Sequence, residues 1–170
     1  MRESALSLNH PGKAMADIEA KYLIFSLAGE KYGIHILQVK EIIGLVPITR
    51  VPRTPSFFMG VTNLRGRLIP VIDLRLKFGM EEMAYTDRTC IIVTETTAQT
   101  DPILMGIVVD AVTEVLNIKS ADVEEPPIPG AQMAKGYILG LAKTNEGVKI
   151  LLDIDQVVGG IEPGSIGRTA

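Results

Sequence analysis

Gly33-Ile34-His35-Ile36-Leu37-Gln38-Val39-Lys40-Glu41-Ile42-Ile43 is echoed later in the chain by Gly106-Ile107-Val108-Val109-Asp110-Ala111-Val112-Thr113-Glu114-Val115-Leu116. Gly, Ile, Val and Glu coincide at the same spacing, and most of the other apolar positions agree in type. A second echo follows each copy. Gly60 and Gly140 each precede an aspartate by 13 positions, at Asp73 and Asp153, and each intervening stretch has an inner glycine, Gly66 or Gly147, displaced by one. A sequence that repeats itself in this way folds as two related units, which pack face to face and leave a groove between them.

Outward from the repeat, the apolar runs are short, rich in β-branched residues and punctuated by Gly and Pro. Strands are predicted over residues 22–27, 31–36, 46–51, 60–64, 67–72, 89–95, 103–109, 111–118, 137–143 and 148–152. Many short strands at this spacing argue for small barrels rather than a βαβ sheet. Residues 60–64 and 67–72 flank the turn Arg65-Gly66 and are apolar on successive positions, which predicts burial on both faces. Residues 37–43 read either as a short helical turn or as a strand edge. Single helical turns are predicted over 55–59, where Pro55 stands near the start, and over 73–78 and 153–158, where Asp73 and Asp153 suit N-caps. Residues 124–130 are Pro-rich and extended. The ends, 1–20 and 159–170, read as a flexible leader and tail around an ordered body at 21–158, in two barrel subdomains at roughly 21–86 and 87–158, with a crossover of terminal strands between them left open.

Composition narrows the function. The 170 residues carry a formal charge of -3, with 46% hydrophobic and 22% charged residues. A mildly acidic chain with scattered Lys and Arg, few aromatics and no Trp lacks the basic, aromatic-studded face of a nucleic-acid binder. A small-barrel nucleic-acid-binding protein is nevertheless the alternative reading. No run approaches the ~20 apolar residues of a membrane span. Cys90 stands alone in an apolar run and reads as a small buried hydrophobe. His10 and His35 are the only histidines, and His35 sits in an apolar strand, as a structural histidine would. There is no phosphate-cradling Gly-Lys-Ser/Thr loop, no G-x-S-x-G elbow and no paired Cys or H-E-x-x-H for zinc. Asp153 and Asp155 share one strand face only if that strand continues, whereas capping is the commoner use of such a pair. The inventory supports a non-enzyme without cofactor, catalytic residue or metal site.

The segment Gly60-Val61-Thr62-Asn63-Leu64-Arg65-Gly66-Arg67-Leu68-Ile69-Pro70-Val71-Ile72-Asp73-Leu74-Arg75 resembles the signature of CheW chemotaxis coupling proteins. Phe25-Ser26-Leu27, Tyr32-Gly33-Ile34, Val39-Lys40-Glu41-Ile42, Gly106-Ile107-Val108-Val109-Asp110, Val115-Leu116, Gly140-Leu141 and Ile150-Leu151 extend the resemblance over nearly the whole body. It implies a mainly β fold of two packed five-stranded SH3-like barrels with a few short helical turns. It also implies a stand-alone cytoplasmic adaptor in receptor arrays under the inner membrane. The implied partners are the regulatory domain of a CheA-type histidine kinase and the tips of methyl-accepting chemotaxis receptors, with neither nucleic acid nor direct membrane insertion. By the same resemblance Val39, Glu41 and Arg65 fall where the family contacts partners, and Asn63 joins them in the candidate set. Ile36, Val39, Val109 and Val115 are candidates to line the groove between the barrels, with ordinary barrel core as the alternative for each. Gly66 is assigned to the turn itself. The long leader and the extended 96–102 loop depart mildly from the family pattern.

Overall fold

A computed structural model describes residues 18–96, 101–126 and 136–159. The expected leader and tail and the 96–102 and 124–130 stretches lie wholly or partly outside these residues. Among these residues eleven strands form two sheets. They are β1 Glu19–Leu27, β2 Glu30–His35, β3 Val39–Gly44, β4 Phe58–Leu64, β5 Arg67–Asp73, β6 Cys90–Glu95, β7 Leu104–Val109, β8 Ala111–Lys119, β9 Val123–Glu124, β10 Ile138–Thr144 and β11 Gly147–Leu152. Two short helices, α1 Leu74–Lys77 and α2 Ile154–Val158, follow β5 and β11. One sheet has the order β8-β1-β2-β11-β10-β9 and the other β3-β6-β7-β5-β4. The first therefore has six strands rather than the expected five, because the two-residue β9 pairs with β10.

The repeat governs the topology. In each sheet a hairpin (β1–β2 or β6–β7) sits centrally, and its second strand pairs in parallel with β11 or β5. Leu151 faces Gly33 in one sheet and Val71 faces Gly106 in the other. The irregularities repeat too. The register shifts between Val39 and Glu41 where β3 meets β6, and at the matching place where β8 meets β1. It shifts again before Gly60 and before Gly140. A Cβ on Gly60 would stand 2.0 Å from the Thr49 carbonyl oxygen, and one on Gly140 would stand 2.5 Å from Val123. Both positions need glycine because a neighbouring stretch of chain passes too close for a side chain.

The halves of the sequence are not the halves of the fold. β3 leaves the first hairpin to pair with β6, and β8 leaves the second to pair with β1. The division expected near residue 86 is therefore no sheet boundary: one sheet takes residues 39–109, and the other takes strands from both ends of the described chain. Two crossovers carry the exchange. At the first, His35 Nδ1 accepts the Leu37 N–H at 3.2 Å and starts a 3-10 turn over Ile36–Gln38. Residues 37–43 thus combine both expected readings, a helical turn and then a strand. At the second, Asp110 alone separates β7 from β8.

The main core lies between the sheets. Phe25, Leu27 and Ile34 meet Ile72, Ile92 and Ile107 there, with Leu74 of α1 and Ile154 and Val157 of α2 closing it. Each such side chain contributes roughly 1.5–3 kcal/mol when fully buried. The opposite face of each sheet carries a smaller cluster, around Val71, Ile91 and Val108 in one and Ile118, Ala142 and Leu151 in the other. β5 is buried from Ile69 through Asp73, as its unbroken apolar run implies.

Two predicted elements are replaced. Residues 46–51 form no strand beyond a bridge at Thr49, whose N–H and carbonyl pair with Val61. Pro47 and Pro52 flank the bridge and have no N–H to extend a ladder. Residues 55–59 form a turn closed by Phe58 N–H to Pro55 O at 3.0 Å, and Phe58 already begins β4.

Candidate functional site

The β4–β5 hairpin closes through Arg65 and Gly66, with φ of 54° and 85°. Positive φ at both central residues is what a two-residue type I′ turn demands. Asn63 Oδ1 accepts the Gly66 N–H at 2.8 Å and so clasps the turn. The guanidinium of Arg65 reaches back to β3 and holds the Glu41 carboxylate in two bonds, NH2 to Oε1 at 2.8 Å and NH1 to Oε2. The hydrogen bond from Arg65 lowers the Glu41 pKa from its ordinary value, and Glu41 raises that of Arg65. The Arg65 side chain still exposes 72% of its surface. The pair therefore fixes a planar cation at the hairpin tip without covering it.

The expected partner residues separate on inspection. Glu41, Arg65 and Asn63 come together at this tip, with Asn63 committed to the turn. Ile36 and Val39 are half-buried and pack against the main core from the first crossover. Val115 is exposed on β8. Val109 is 1% exposed and belongs to the inter-sheet core, which removes it from any groove lining. It shares the inter-sheet face of β7 with Met105 and Ile107, while Val108 between them packs in the cluster on the opposite face. Gly66 has open space where a Cβ would stand, so its positive φ alone selects glycine.

Equivalent positions extend the picture. Through the repeat, Ile42 corresponds to Val115, and the parallel pairings make Leu68 equivalent to Val148. All four are exposed apolar side chains. Both sheets thus present an aliphatic pair, one residue on the exchanged strand and one on the following hairpin. Ile42, Leu68 and Val148 were missed because each looks like an inward strand residue until the register is known.

The crossovers are also clasped. Arg75 of α1 donates Nε to Asp110 Oδ1 at 2.9 Å and NH2 to Oδ2 at 2.5 Å, and Asp110 Oδ2 takes the Ala28 N–H at 2.8 Å. Partial burial tends to raise the Asp110 pKa, but the bonds from Arg75 and Ala28 outweigh it and the net shift is downward. At the other crossover Gln38 donates Nε2 to Asp155 Oδ1 at 3.0 Å. Asp73 and Asp153 cap α1 and α2 as expected, accepting the N–H groups of Leu76 and Gln156. Cys90 is half-buried against the main core. Among the described residues no three potential metal ligands converge, and no helix is long and apolar enough to cross a membrane.

Residues 21–162 match the CheW-like domain. The chain belongs to the CheW-like family. It is 38% identical over 150 residues to chemotaxis protein CheW of Klebsiella aerogenes, covering 88% of each chain. Against chemotaxis protein CheW of Helicobacter pylori it is 32% identical over 139 residues, 81% of each. The crystal structure of the scaffolding protein TtCheW from Thermoanaerobacter tengcongensis superposes with a TM-score of 0.74 at 37% identity, over 84% of this chain and 94% of that one. Family membership accounts for the repeat, the two sheets and the glycine-rich hairpin together.

Proposed function

We propose that this chain is a chemosensory adaptor. It joins the regulatory domain of a CheA-type histidine kinase to the cytoplasmic tips of methyl-accepting chemotaxis receptors, in arrays beneath the inner membrane, and it catalyses nothing itself. Membership in a family whose relatives are named chemotaxis and scaffolding proteins supports the reading. The observation that carries it is the Arg65 tip. An arginine stands in the left-handed region that glycine or asparagine would occupy with less strain. An internal carboxylate aims its guanidinium, and most of its surface remains open. Backbone strain of this kind is retained where a side chain has a task, and arginine is enriched among binding hot spots.

The aliphatic pairs Ile42/Leu68 and Val115/Val148 supply apolar area on the two sheets, one for each partner. The half-buried Ile36 and Val39 border the first crossover, where an amphipathic receptor helix would lay its apolar face. To test the reading, purified chain is titrated separately with the kinase regulatory domain and with a receptor tip fragment. Both should bind. Val115→Glu and Ile42→Glu should each weaken binding to one partner while circular dichroism stays native. Failure of both partners to bind wild-type protein contradicts the proposal.

A further inference from the structure

Beyond α1, away from the Arg65 tip, a cleft of about 480 Å³ opens between the end of α1 and strands β2, β10 and β11. Its size falls in the range of roughly 300–1,000 Å³ typical of small-molecule sites. Tyr32, Phe78 and Tyr137 wall it, Ile150 and Leu152 line it, and Lys77 stands at its edge. The rings form a run, with 6.2 Å between the centroids of Tyr32 and Phe78 and 5.8 Å between those of Phe78 and Tyr137.

The fold does not require this opening. Counting from the capping aspartates, Lys77 and Phe78 correspond to Val157 and Val158 of α2. Those valines are 0% and 3% exposed and belong to the main core. On α1 the same two places carry an ammonium and a half-buried ring. The ammonium is held by aromatic faces, 4.6 Å from the Phe57 centroid and 5.4 Å from that of Tyr137. Such faces attract a cation but satisfy none of its three N–H donors as a carboxylate would. Among the described residues no carboxylate forms an ion pair with Lys77.

The geometry points to a binding site for a small amphiphilic carboxylate, its apolar body laid along the row of Tyr32, Phe78 and Tyr137 and its charge on Lys77. An apolar aromatic cleft with one cation at the rim complements a tail with one anionic end. A charge-assisted hydrogen bond to the ammonium fixes the orientation. The volume of the cleft suits a small molecule rather than a helix of about 10 Å diameter. The site shares no residue with the Arg65 tip and stands or falls independently of the coupling reading.

The probe is decanoate below its micelle concentration, added to the full chain. Decanol, which has the same tail without the charge, is the control. Decanoate should raise the unfolding temperature with the logarithm of its concentration above the dissociation constant and shift the methyl resonances of Ile138, Ile150 and Leu152. Decanol should bind about tenfold more weakly, the size of a single charge-assisted contact. Lys77→Gln should erase the difference between the two probes. Ile150→Phe, which adds bulk to the cleft, should weaken both. If Ile150→Phe does not fold, Lys77→Gln decides alone. No stabilisation by decanoate, shifts confined to other methyls, or equal binding of the two probes overturns the proposal.

Discussion

Arg65 and Gly66 share one turn but answer to different demands. The Gly66 position has room for a side chain, and only its positive φ selects glycine. Gly66→Val should destabilise the protein by about 1–2 kcal/mol, the cost of forcing a β-branched residue into the left-handed region, as read from chemical denaturation. An unchanged midpoint would mean that the turn relaxes. Arg65→Ala should leave the unfolding temperature nearly unchanged, because its ion pair is exposed and worth little. It should weaken binding to at least one partner about tenfold or more, in the hot-spot range. Calorimetric titration against each partner separately distinguishes the two. Lys149 offers a contrast. It is 3% exposed on β11, and the described residues give it no ion pair or hydrogen bond. The equivalent residue in the other sheet is Ile69, a core side chain. Lys149→Ile should raise stability by about 0.5–2 kcal/mol, and a lower melting temperature would show that its ammonium has a partner at the barrel end. At this scale much was legible beforehand. The turn glycine and the capping aspartates follow from local pattern, and the family motif marks Glu41 and Arg65 as contact positions, but their pairing with each other came only with the structure. The burial of Val109 and Lys149 does not, because it depends on which way a strand faces after pairing.

The elements were legible wherever the strand pattern was local. Each hairpin with a short turn was foreseen to within three residues at its strand ends, since alternation and turn chemistry act over a few positions. The strand exchange was legible only as an open crossover of terminal strands, without the strands that make it. Pairing β3 with β6 and β8 with β1 joins segments far apart in sequence, and the two halves match each other too well to tell self-pairing from exchange. The prolines at 47 and 52 carried the information that residues 46–51 would not form a ladder, but it was outweighed by their apolar content. The clasp at the second crossover gives this level a direct test. Arg75 and Asp110 are tied by two bonds, and Asp110 also takes the Ala28 N–H. Because the folded protein holds Asp110 below its ordinary value of 3.8, the carboxylate adds stability above that value. The contribution is lost as pH falls through the lower folded pKa. Asp110→Asn should therefore reduce stability at neutral pH and flatten the acid limb of the stability curve. Parallel acid limbs in wild type and mutant would show that other carboxylates govern acid unfolding.

In the whole molecule, the exchange makes two sheets inseparable. Each crossover ties one sheet to the other, and a short helix clasps each crossover, α1 through Arg75–Asp110 and α2 through Asp155–Gln38. A body so joined unfolds as one cooperative unit and keeps its exposed faces at a fixed separation, which is what an adaptor between two partners needs. The family motif made this role legible from the sequence. The matching apolar pairs on the two sheets became visible only with the register. The measurement closest to the central claim is assembly of a ternary complex. Labelled kinase regulatory domain and labelled receptor tip are mixed with and without the chain and followed by analytical ultracentrifugation. The account predicts that both labels sediment together only when the chain is present, and that Arg65→Ala diminishes the joint species. Two separate binary complexes that never merge would contradict it.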